Sequence, residues 1–155
     1  MKSSELFPSL LIGAVASARS MTPMAALAAA HLAGRSTPGR LVLLKRPLFT
    51  AGALLMGAGE LFGDKMRTAP DRTVALGLIA RIMSAGIAGA ALAPKGRERI
   101  GGGIAVATAV PMAYLTLGAR KLAMKRAGQT RSGLVEDAIV VCSALAIVSL
   151  AVRGR

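Results

Sequence analysis

The sequence predicts an all-α polytopic membrane helical bundle of about five spans, the first broken at Arg19–Pro23. Three observations carry this. Hydrophobic residues make up 54% of the 155 residues and charged ones 17%, whereas a disordered polycation would be poor in apolar residues. The apolar residues fall in runs of about 17 to 22, the length that crosses a ~30 Å hydrocarbon core at 1.5 Å per residue. The net charge of +13 lies in short clusters between those runs, where Lys and Arg meet lipid headgroups. A nucleic-acid binder would gather its cations on one face and often add stacking aromatics, but aromatics are 3% here. The expected partners are the lipid bilayer and anionic lipids met by the basic loops, and no nucleic acid.

The first run extends from Leu6 to Ala18, is interrupted by Arg19-Ser20-Met21-Thr22-Pro23, and resumes from Met24 to Gly34. Pro23 lacks a backbone donor and disfavours a helical residue before it, so the helix kinks or breaks there. The segment is either one bent span or a re-entrant hairpin. Non-helical backbone at membrane depth requires protein or water around it. Lys2, the apolar run and Ala16-Ser17-Ala18 also have the outline of a cleavable signal. Glu5 offsets the lone Lys, however, and apolar sequence resumes directly after the break, so the segment is read as retained. Further spans are expected at Pro47 to Gly63, Thr73 to Ala93, Ile100 to Ala119 with Pro111 inside, and Leu134 to Val152. Their linkers are short and basic, which leaves residues 1–155 as a single integral membrane domain.

Lipid gives no hydrophobic drive between spans, so small residues that allow close backbone approach hold such bundles together. Gly13/Ser17, Gly59/Gly63, Gly86/Ala90, Gly89/Ala93 and Gly101-Gly102-Gly103 supply them. Orientation does not follow from charge. With five spans the loop cations divide nine against nine, and with a re-entrant first segment ten against eight, so the positive-inside rule gives no direction.

Charged residues within spans cost roughly 2.5–3.5 kcal/mol each on insertion scales and normally face a bundle interior. Arg19, Glu60, Asp64, Arg81 and Glu136 are the expected substrate- or ion-binding polar core. Glu60 and Asp64 are four apart, hence on one helical face; Asp137 follows Glu136 and points elsewhere. Arg81 is too deep in its run to reach an interface. Glu60 and Arg81 are expected in one buried cluster, with Arg19 close by. Nothing suggests catalysis: no phosphate loop, no His-Glu-x-x-His and no Ser/His/Asp set is present. His31 and Cys142 are each solitary, so no metal site and no cofactor is expected, and Cys142 reads as a small buried residue.

The order and spacing of Arg19-Ser20-Met21-Thr22-Pro23, Gly59-Glu60-Leu61-Phe62-Gly63-Asp64-Lys65, and Arg72-Thr73 followed by Arg81 resemble a family of small bacterial inner-membrane proteins known as a domain of unknown function. Glu136-Asp137 looks like that family's final acidic pair. The likeness covers nearly the whole chain. It implies a compact all-α domain in the inner membrane and supplies no activity.

Three functions compete. A small transporter or channel would expose half-helix ends at Arg19–Pro23 to a solute near the midplane. A non-transporting structural, assembly or lipid-interacting protein would use the same charges as internal glue. A lipid-modifying enzyme would use Glu60 or Asp64 as acid or base. Transport is the leading expectation. Five short spans give few walls for a pathway, so a homo-oligomer is expected, a dimer by preference.

Overall fold

A computed structural model describes residues 3–39, 43, 46–63 and 75–153. Their regular structure is all helical, with no strand among the described residues. After a short 3-10 turn the order is α1 (Phe7–Ala18), α2 (Thr22–Leu32), α3 (Pro47–Gly63), α4 (Ala75–Leu92), α5 (Glu98–Ala127) and α6 (Gln129–Arg153). Two of these, over Glu98–Arg126 and Arg131–Val152, are long and apolar enough to cross a membrane. Phe7–Ala18, Pro47–Leu61 and Gly77–Leu92 are shorter apolar helices. Length and composition therefore qualify two of the five expected spans among the described residues.

The break falls where expected, and its form is a hairpin. Arg19 is extended (φ −140°, ψ 120°), ending α1, and Pro23 sits in the first turn of α2, where its missing N–H costs nothing. Near the start of α1 the Ser9 hydroxyl donates to the Gly89 carbonyl at 2.8 Å, and beyond α2 the Gly39 N–H donates to Ala91 O at 2.9 Å. Both ends of the α1–α2 unit thus return to the C-terminal end of α4. The first segment thus doubles back on itself beside α4. The two arms have different neighbours: α1 packs on α4 and α5, α2 chiefly on α3 and α6.

Glycine decides the packing of α1, α4 and α5. A Cβ on Gly13 would fall 2.3 Å from Ala105 O, one on Gly89 2.6 Å from Gly101 O, and one on Gly101 2.7 Å from Gly89 O. These are backbone-to-backbone crossings that any side chain would force apart, and Ala16, Ala85, Ala88, Ala105 and Ala109 fill the space around them without exposure. Gly59 meets nothing within 4 Å, so that expected contact is not made. Its helix approaches α2 earlier in its course, through Gly57 against Ala25.

One boundary and one burial differ from expectation. α5 runs on through Arg120-Lys121-Leu122-Ala123-Met124-Lys125-Arg126 to a turn at Gly128 (φ 79°). Basic clusters mark the headgroup region but do not end a helix, and Ala, Leu, Met, Lys and Arg are strong helix formers. Cys142 is exposed rather than buried, because the inward face of α6 passes through Asp137, Val140, Ala144 and Val148.

Candidate functional site: the charged break between two half-helices

An interrupted helix leaves bare carbonyls on one side of the gap and bare N–H groups on the other. Both sets here are met by charged side chains from other helices. At the end of α1, Arg81 of α4 donates from Nε to Ser17 O at 3.0 Å, while its Nη1 holds Gly77 O of its own helix at 2.9 Å. At the start of α2, no side chain within the helix provides a cap. Glu60 of α3 does so instead: Oε1 accepts from the Ser20 N–H and hydroxyl, both at 2.7 Å, and Oε2 from the Met21 N–H at 2.8 Å. A cation thus faces the negative end of one helix dipole and a carboxylate the positive end of the other.

Arg19 fills the gap itself. It is the largest fully buried side chain among the described residues, 1% exposed. Its Nη1 donates to the backbone carbonyl of Glu60 at 3.1 Å, and its Nη2 donates to Asp137 Oδ1 of α6 in a buried ion pair. Arg19 of the break itself, Glu60 of α3, Arg81 of α4 and Asp137 of α6 thus converge on a short stretch of irregular backbone, with formal charges that cancel.

Arg19, Glu60 and Arg81 do meet at the break, with both arginines buried and Glu60 half-buried, but the acidic membership of the expected cluster is corrected. Asp137, read as pointing elsewhere, is the carboxylate that neutralises Arg19. Glu136, read as a core member, faces α5, where its Oε2 accepts from Arg120 Nη1 at 3.2 Å. Adjacent helical residues point about 100° apart, and spacing alone does not say which of the two faces inward. The inward stripe Asp137, Ala144, Val148 does: these are spaced seven and four apart, one helical face. Asp64 lies outside the described residues. No group of three or more His, Cys, Asp or Glu that could hold a metal occurs among the described residues.

Comparison with family models, with curated proteins and with solved structures returns no match.

Proposed function

We propose that this chain is a multi-pass membrane protein, of the inner membrane as its motif resemblance implies, that carries a small solute or ion past the charged break. Its outer surface supports the membrane reading. The apolar windows of α5 and α6 have mean hydropathy 1.6 and 2.2, yet only 28% of each is buried, whereas a soluble protein's core helix is mostly enclosed. Leu55, Leu115 and Leu150 are 74%, 66% and 68% exposed, and leaving each in water would forgo about 1.5–3 kcal/mol. With α1–α2 re-entrant, α3 to α6 complete the crossing. Arg81 stands eleven residues before Leu92, about 17 Å along the helix. That is close to the middle of a ~30 Å core.

The observation that carries the transport reading is this meeting of two oppositely directed helix ends, each matched by a charge from another helix; the proposed placement sets it at mid-depth. Half-helix ends are where carriers with discontinuous helices bind their solutes. An anion would take the place of the Glu60 carboxylate on the Ser20 and Met21 N–H groups. A cation would take the place of Arg19 on Asp137. Either exchange keeps the buried charge balanced, which a low-dielectric site demands. So few helices enclose a pathway poorly, and the working unit of this proposal is therefore a homodimer.

A structural reading has its own supporting observation: both oxygens of Glu60 are already occupied by backbone and hydroxyl donors. The two readings separate in proteoliposomes screened for flux of small anions and cations, with Glu60→Gln and Asp137→Asn as companions. Flux present in the native protein and lost in folded variants supports the carrier. Variants that lose thermal stability, beside a native protein that moves nothing in the panel, favour glue.

A further inference from the structure

The α5–α6 hairpin contains a second feature that the charged break does not use. Below the turn at Gly128 the two helices part into a cleft of about 550 Å³ that runs inward as far as Ala18, the last residue of α1. Its walls are apolar, from Ala119 and Ala123 on one side and Val135 and Ile139 on the other. Its mouth is cationic. Arg126 and Arg131 line it from either side of the turn, both exposed, and neither is ion-paired among the described residues. Arg120, deeper in the cleft, is held by Glu136 at 3.2 Å.

We propose that this cleft is a binding site for one anionic phospholipid, with the phosphate on Arg126 and Arg131 and an acyl chain between Ala119, Ala123, Val135 and Ile139. The inference rests on the membrane placement above and not on transport. In a bilayer any outward apolar cleft fills with lipid chain, so the walls alone select nothing. Selection comes from the mouth, where two guanidinium groups present planar, paired donors that match phosphate oxygens. A zwitterionic headgroup brings its own cation to the same place and loses most of that attraction. A second copy of this chain fits poorly. A two-fold contact sets the same patch against itself and would press Arg126 and Arg131 against their counterparts. The cluster Arg120, Lys121, Lys125, Arg126 and Arg131 also places the mouth at headgroup level.

The test uses the full chain in phosphatidylcholine nanodiscs doped with photoactivatable phosphatidylglycerol or, in parallel, with photoactivatable phosphatidylcholine of the same chains. Adducts are mapped by peptide mass spectrometry. Phosphatidylglycerol adducts are expected on residues 119–123 and 135–139, at roughly tenfold the phosphatidylcholine yield, as one charge-assisted hydrogen bond would give. The Arg126→Gln/Arg131→Gln double variant should bring the two lipids level without changing the melting temperature, because both side chains are exposed and form no ion pair among the described residues. Equal labelling by the two lipids in an embedded protein overturns the cleft proposal alone, as does a preference that survives the double variant. A benzophenone placed at Ile139 that joins two copies of the chain overturns it too, by assigning the cleft to a dimer contact. A chain that stays outside the nanodiscs overturns the membrane reading and the cleft with it.

Discussion

Arg19 and Asp137 set the terms at the level of single side chains. Arg19→Ala leaves Asp137 as an uncompensated buried charge, which typically costs about 3–5 kcal/mol. The double variant Arg19→Met/Asp137→Leu removes both charges and should be less destabilised than either single variant. Thermal unfolding of the four proteins in one detergent measures this coupling, and additive losses would show that the pair does not act as a unit. Glu60→Gln keeps one acceptor oxygen but turns an NH₂ toward backbone donors, so a loss of about 1–3 kcal/mol is expected. Glu60→Asp, one methylene shorter, should not restore it, because the carboxylate must reach Ser20 and Met21 from another helix. Arg19, Glu60 and Arg81 were legible in the sequence because a charge inside an apolar run stands out. The capping of α2 by Glu60 was not, since it joins residues about forty apart through backbone N–H groups that no side-chain pattern reports.

Among the helices, the glycines make sharply different demands despite standing side by side. Gly101 and Gly103 are two residues apart on α5, yet a Cβ on the first would meet Gly89 O at 2.7 Å and one on the second meets nothing within 4 Å. Gly101→Ala should therefore lower the melting temperature or abolish folding. Gly103→Ala, on an exposed helical face, should stabilise by up to about 1 kcal/mol through helix propensity. A melting series of the two variants checks this, and equal effects would show that α4 and α5 are not in backbone contact. The sequence announced that small residues pack these helices. It did not say which glycine faces which neighbour, because Gly59, with open space around it, has the same small-xxx-small signature as Gly89. Helix ends behaved similarly: the break after Ala18 was legible from Pro23, while α5 continued past its charges because nothing in that stretch breaks a helix.

For the molecule as a whole, the proposed membrane placement, with α1–α2 re-entrant and four crossings after it, would put the N- and C-termini on the same side of the membrane. Reporters active only in the cytoplasm or only outside it, fused to each end in turn, should place both ends in the same compartment. Opposite readings at the two ends would mean that α1–α2 crosses as a full span. The ten-to-eight division of cations leaves the direction of insertion weakly set. Activity from both reporter types at the C-terminus would indicate dual insertion and an antiparallel dimer, and a monomeric mass in mild detergent and in nanodiscs would exclude any dimer. Topology was only half legible from the chain, since a broken run reads alike whether it crosses or turns back. The contacts of Ser9 and Gly39 with one end of α4 are what support turning back.

Where Gly13, Gly89 and Gly101 bring backbone against backbone, α1, α4 and α5 have no side-chain layer between them to slide on. Arg19 ties that block to its neighbours: its backbone closes α1, and its guanidinium holds α3 through Glu60 O and α6 through Asp137. One side chain thus pins three helices at the place where the chain itself is least regular.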